Sequence, residues 1–125
     1  MKITNVVAGV LTKENFFFIA QRNRHKHLGL KWEFPGGKVD MNETNEEALK
    51  REIKEELNIN ILVKKKITQE KFKDDRIDII LHYYFCQIID GNINLNEHEK
   101  SIWVSKNDLY RYDMVEGDRS IIHFL

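Results

Sequence analysis

Residues 36–59 read Gly36-Gly37-Lys38-Val39-Asp40-Met41-Asn42-Glu43-Thr44-Asn45-Glu46-Glu47-Ala48-Leu49-Lys50-Arg51-Glu52-Ile53-Lys54-Glu55-Glu56-Leu57-Asn58-Ile59. Thr44 followed three residues later by Glu47 is a capping box, in which each residue's side chain satisfies a backbone N–H of the other. Asn58 tolerates the left-handed backbone that ends a helix. The stretch 44–57 therefore predicts a helix. At about 3.6 residues per turn, Glu52, Glu55 and Glu56 share one arc at i, i+3 and i+4. Leu49, Ile53 and Leu57 share a neighbouring arc suited to a core. Three like charges this close repel one another, and a hard divalent cation with oxygen ligands removes that cost. Taken alone, a Glu-rich helix reads more readily as a solvated face laced with Glu–Lys pairs. The glycine pair, the lysine and the capped start ahead of it tip the reading toward a built site.

Outward from this stretch, Trp32-Glu33-Phe34-Pro35 brings the only proline up against two of the six glycines, which marks a tight and specific turn. Residues 22–31 are basic and polar around Gly29 and read as a loop. Residues 3–11 and Phe16 to Ala20 read as strands joined by a turn at Lys13-Glu14-Asn15. Downstream, residues 60–73 predict a long strand, Asp74-Asp75 a turn, and residues 76–89 a second strand with Ile77, Ile79, Leu81, Tyr83 and Phe85 on one face. Ser101 to Ser105 around Trp103 predicts a short strand. Short helices are expected near 106–111 and 117–124. Strands, helix, strands, helix is the order of an α/β (α+β) domain with a mixed sheet packed by helices, here one domain over residues 1–125.

Composition agrees and excludes some functions. The chain is 42% hydrophobic and 32% charged, in the range of a globular protein. Lys+Arg and Asp+Glu both number 20, so no net field draws a nucleic-acid polymer or an anionic membrane, and a phosphorylated ligand must find a local site. No stretch of sequence is long and apolar enough to span a bilayer. The lone Cys86 rules out an intramolecular disulfide and reads as a small buried hydrophobe. The start MKITNVVAGVL lacks the features of a signal peptide, so a cytoplasmic location is expected.

The spacing of Gly37, Glu43 and Arg51-Glu52-Ile53-Lys54-Glu55-Glu56-Leu57-Asn58-Ile59 resembles the Nudix signature, with Asn58 in place of its last glycine. Residues 37–59 would be the Nudix box. Trp32-Glu33-Phe34-Pro35-Gly36-Gly37-Lys38, Glu97-His98 ahead of Trp103, and Asp118 look like the MutT-type branch. The resemblance implies an α/β/α sandwich around a mixed sheet. It implies a Mg²⁺-dependent hydrolase, with Mn²⁺ an alternative metal, that cleaves (deoxy)nucleoside triphosphates of 8-oxo-dGTP or CTP/dCTP type to monophosphate and pyrophosphate. Glu52, Glu55 and Glu56 would bind metal, with the Gly36 carbonyl and Glu97 as further ligands. Arg51 would belong to the catalytic set, and Glu43 would support it through Arg51. Gly37 and Lys38 would meet the phosphates. Arg22, Phe34, Arg76 and Asp118 would line the nucleotide pocket. Glu52 is the favoured general base and Glu97 its rival. Asp118 stands where the type enzyme of the branch carries an amide, as in relatives that act on cytosine-type nucleotides and in some that act on oxidised purines. Related proteins occur as monomers and as homodimers, and both states stay open here. A hydrolase of ADP-ribose or dinucleotide polyphosphates, and a nucleotide-binding module without catalysis, are the alternatives.

The remaining polar and aromatic residues carry blander readings. His25 and His27 are expected in an exposed loop, His82 at or near the surface of a strand, and His98 in a structural role beside Glu97. Phe16-Phe17-Phe18 and Trp103 are expected in the core, Trp32 in the core or on a pocket wall. Lys64-Lys65-Lys66 reads as a solvated strand edge that deters aggregation.

Overall fold

The computed structural model describes residues 2–125; Met1 lies outside it. Strand β1 (Thr4–Lys13) is the hub. It turns at Glu14, in the left-handed region at φ 58°, into β2 (Phe16–Gln21). After the 22–31 loop come β3 (Trp32–Glu33) and β4 (Gly36–Lys38), which flank Phe34-Pro35. Helix α1 (Asn45–Leu57) follows, then β5 (Asn60–Lys73), β6 (Asp78–Asp90) and β7 (Lys100–Ser105). Two short helices, α2 (Lys106–Leu109) and α3 (Glu116–Ser120), and a 3-10 turn over Ile122–Phe124 close the chain. The last helices are thus shorter than expected, the second giving way to the 3-10 turn. At the first of these sites the chain leaves the helix at Tyr110.

The sheet is mixed. Its path runs β3-β2-β1-β6-β5, with β4 added to β1 and β7 to β2. Strands β1 and β6 run parallel over eight residue pairs, Thr4 with Ile79 through Leu11 with Cys86; the other pairings between these strands are antiparallel, and a single parallel bridge joins Trp32 to Met114. Successive residues of a strand face opposite sides, so the sheet carries two cores. Val7, Phe18, Tyr84 and Cys86 meet Leu49, Ile53 and Leu57 of α1 on one face. Ala8, Ile19 and Tyr83 meet Leu109, Ile121 and Ile122 on the other. This is the expected sandwich. By the same alternation Phe18 is fully buried in the first core and Phe17 packs against the second, whereas Phe16, at the start of β2, is exposed, against the expectation of core for all three. β5 lies at the end of the path, carrying exposed Lys64, Lys65 and Lys66 at a register break.

Helix α1 begins and ends as its sequence dictates. Thr44 Oγ1 accepts from the Glu47 N–H at 3.1 Å, and the Glu47 carboxylate accepts from the Thr44 N–H at 2.9 Å. Asn58 closes the helix in the left-handed region at φ 60°, its N–H bonded to the Lys54 carbonyl. Leu49, Ile53 and Leu57 are fully buried. An apolar ridge thus clamps the helix to the sheet and fixes where its acidic arc points.

Candidate active site

A cavity of about 770 Å³ opens beside α1. Glu52, Glu56 and Glu97 line one end, with Gly36, Gly37 and Lys38 of β4. Phe72, Ile77, Ile79 and Leu81, from the β5–β6 hairpin, line the other end with Phe34 and Asp118. Arg22, Glu33 and His98 also line it.

The glycines set how closely strand and helix approach. A Cβ on Gly36 would sit 1.9 Å from the Val7 carbonyl oxygen, and one on Gly37 would sit 2.4 Å from the Glu52 carboxyl carbon. Only a residue without a Cβ lets β4 pair with β1 here while Glu52 folds over the strand. Glu56 is buried and accepts from the Gly36 N–H at 3.1 Å. Burial, and then the charges of Glu33, Glu97 and Glu52, push its carboxyl up to about 9, against the pull of that N–H. Burial also raises Glu52, opposed by its hydrogen bond from Arg51. Arg51 forks onto Glu43 at 2.7 and 3.0 Å, reaches Glu52 at 3.0 Å and bonds the Lys38 carbonyl at 3.0 Å. One guanidinium therefore ties the loop, the strand and the helix together, as anticipated for the pairing with Glu43.

Two of the predicted residues lie off the wall, and for Arg76 this corrects the pocket role. Glu55 is not on the cavity wall: its side chain is 57% exposed and lies 3.4 Å from Arg51. A helix advances about 100° per residue, so the arc shared by Glu52, Glu55 and Glu56 is wider than the cavity it faces. Among the described residues, no three acidic, histidine or cysteine side chains are gathered close enough to grip a metal ion as they stand. Arg76 is exposed in the turn after β5, where its N–H bonds Asp74, and does not line the cavity; the neighbouring Ile77 does. Arg22, Phe34, Gly36, Gly37, Lys38, Glu52, Glu56, Glu97 and Asp118 all fall on the wall.

Glu97 arrives from far along the chain, on the 91–99 segment. Ile93 and Leu95 of that segment pack on the core beneath α1. Asn94 and Asn96 donate their backbone N–H groups to the Leu57 and Glu56 carbonyls, and Asn96 Nδ2 reaches the Glu55 carbonyl at 2.8 Å. The segment thus satisfies carbonyls that the end of α1 leaves free and delivers Glu97 beside Glu52 and Glu56. The alternation of Asn and apolar residues over 92–96 is the sequence signal for this.

Glu33, between two aromatics and ahead of a proline, was quoted in the motif but given no role. Its carboxylate accepts from Arg22 at 2.7 Å and from His98 Nε2 at 2.9 Å. Burial opposes its charge, yet the bonds from His98 and Arg22 hold it below the ordinary carboxylate range. His98 thus supports a buried charge while lining the cavity. Asp118 is also buried, accepting from the Phe34 N–H at 2.8 Å and the Tyr83 hydroxyl at 2.7 Å. Burial pushes it up to about 7, against both hydrogen bonds. Trp32 stacks edge-on against Tyr112 and is not on the wall. His82 is buried, bonded to Lys66 and Asn5 away from the cavity, and is less exposed than expected.

The chain resembles known proteins along its whole length. A family model described as NUDIX domain matches residues 2–125. The chain is 30% identical over 118 residues to a CTP pyrophosphohydrolase of Escherichia coli, covering 94% of this chain and 87% of that one. It is 33% identical over 125 residues to an 8-oxo-dGTP diphosphatase of Buchnera aphidicola, covering 100% and 95%. The solution structure of the E. coli ORF135 protein superposes with a TM-score of 0.86 at 29% identity, covering 98% of this chain and 88% of that one.

Proposed function

The chain belongs to the NUDIX family, matched over residues 2–125, and from that premise we propose that it is a Mg²⁺-dependent pyrophosphohydrolase of (deoxy)nucleoside triphosphates, releasing a monophosphate and pyrophosphate. One observation carries this reading: a single cavity brings the carboxylates of Glu52, Glu56 and Glu97 to one end and an aromatic, apolar slot with Asp118 to the other. Anionic phosphates suit the first end only with a cation. Glu52, Glu56, Glu97 and the Gly36 carbonyl are all hard oxygen donors, and their mutual repulsion is the cost a divalent ion offsets. These residues fit Mg²⁺, with Glu55 able to reach in from the rim. When bound, the ion neutralises charge on the phosphoryl oxygens and lowers the pKa of a water.

The chain's own groups do the rest. Lys38 meets a phosphate at the cavity mouth. Arg51 keeps the Glu52 carboxylate turned toward the reacting phosphorus. Glu52 takes the proton of the attacking water, with Glu97 the rival for that task. Phe34 and the β5–β6 hairpin shield the base from water. The test is a hydrolysis panel with Mg²⁺ in which products are resolved: dGTP, 8-oxo-dGTP, CTP, dCTP, ATP and ADP-ribose. Monophosphate and pyrophosphate from one triphosphate, well above the rest, is the expected result. Cleavage of ADP-ribose alone would overturn the triphosphate reading, and binding without turnover would overturn catalysis.

A further inference from the structure

Asp118 is an unusual acid. It is buried and lies on the wall of a cavity whose neighbouring lining is Phe34, Phe72, Ile79 and Leu81. A carboxyl in such surroundings favours its neutral form, which donates one hydrogen bond; the ionised form only accepts. Which form is present decides which base edge the site reads. Two groups hold it toward the ionised state: the Phe34 N–H, at 2.8 Å from one oxygen, and the Tyr83 hydroxyl, at 2.7 Å from the other. The first belongs to the backbone. The second comes from the middle of β6, from a side chain fully buried in the second core. Gly117 keeps room around it: a Cβ there would lie 2.8 Å from the Phe72 ring and 3.4 Å from the Tyr83 oxygen. The same glycine thus leaves space between the slot's aromatic wall and the tyrosine.

Resting on the nucleotide reading above, we infer that Tyr83 is a positioning residue for base selection. Its hydroxyl biases the Asp118 carboxyl toward the ionised, accepting form, and to that extent the site favours bases that offer an amino group over their oxo counterparts. The other charges near this pair pull in both directions. Glu33 on β3 opposes ionisation of Asp118, and Arg22 favours it from the loop after β2. Glu70 on β5 acts on the Tyr83 hydroxyl. On the same helix as Asp118, Glu116 also lines the cavity, and Arg119 is turned to the Tyr110 and Tyr112 carbonyls.

Tyr83→Phe keeps the ring and removes the donor. Its Asp118 titration midpoint, followed by the ¹³C-carboxyl signal, is expected to rise by about one to two pH units, the size of a hydrogen bond to a charged group. Selectivity for dCTP over dUTP, and for dATP over dITP, is expected to fall at neutral pH through KM and to recover in alkali, with kcat unchanged. Replacing Tyr83 by 3-fluorotyrosine, a stronger donor, is expected to move the midpoint down. An unchanged midpoint in both variants overturns the inference. So does a shifted midpoint without any change in KM. If Asp118→Asn leaves selectivity intact while the midpoint still responds to Tyr83→Phe, the base-pocket reading has failed rather than the Tyr83–Asp118 linkage, and the selectivity role falls with it.

Discussion

At the carboxylate end of the cavity, Glu52 and Glu56 project from one helix and are held by Gly36, Gly37 and Arg51, all within residues 36–56. At the apolar end, Phe72, Ile79, Leu81 and Asp118 arrive from β5, β6 and α3. The first end is fixed by a close backbone approach at Gly36 and by the packing of the Glu52 side chain on Gly37 and Arg51. The second is shaped by side chains that can change one at a time. Chemistry common to a family belongs in the first kind of structure, and choice among ligands belongs in the second.

The comparison breaks most sharply at Glu56. Glu56→Gln is expected to lower kcat roughly 10²–10³-fold at saturating Mg²⁺, with every nucleotide affected alike, as steady-state kinetics on two triphosphates will show. The two glycines separate position from stability. In Gly37→Ala the new methyl meets the Glu52 carboxylate, and a displacement of about 1 Å there costs on the order of 10²-fold in kcat. In Gly36→Ala it meets the Val7 backbone instead, so the melting temperature falls first, by the equivalent of about 1–3 kcal/mol or more. Equal melting temperatures for the two variants would contradict this division.

At the other end the expected effects are smaller and depend on pH. Asp118 is raised from 3.8 to about 7 by burial. A raised acid costs nothing below its unfolded pKa, and the penalty grows as pH rises toward the folded value. Asp118→Asn should therefore gain stability relative to the parent between about pH 4 and pH 7, on the order of 3–4 kcal/mol by linkage. A difference between the two proteins' denaturation energies that is flat over that window would remove the buried charge from the account. The smallest effect lies outside both ends. Burial, and then Lys66, lower His82 from 6.5. A histidine depressed in the folded state contributes stability above its unfolded pKa and loses it as pH falls. His82→Gln should blunt the drop in melting temperature just below pH 6.5 and leave kcat untouched.

The carboxylate end was legible because its logic is local. Helical spacing, a capping box and a glycine pair lie within one continuous stretch, and α1 runs to the expected Leu57. The exposure of Glu55 was not legible, because spacing gives an arc and not the width of the cavity it faces. The apolar end was only partly legible. Asp118 and Phe34 came from resemblance, while Arg76 was placed there and lies in solvent. Nothing local in the sequence says that the Tyr83 hydroxyl meets a carboxylate 35 residues away. The support of Glu33 by His98, 65 residues on, is equally non-local. Alternation along 76–89 found the face of β6 but not its partners.

The parallel pairing of β1 with β6 has a consequence in time. It joins Thr4 to Ile79, 75 positions apart (79 − 4), and it forms the middle of the sheet. Closing so long a loop is slow and precedes any reward from the contacts it makes. During synthesis, the capped helix can emerge and begin to wind, yet it has no finished surface to lie on until β6 has left the ribosome. Chains halted before residue 86 would carry the whole of residues 37–59, without Glu97 and without a finished sheet beneath the helix, so the enzyme's competence is decided by one of the last strands to arrive.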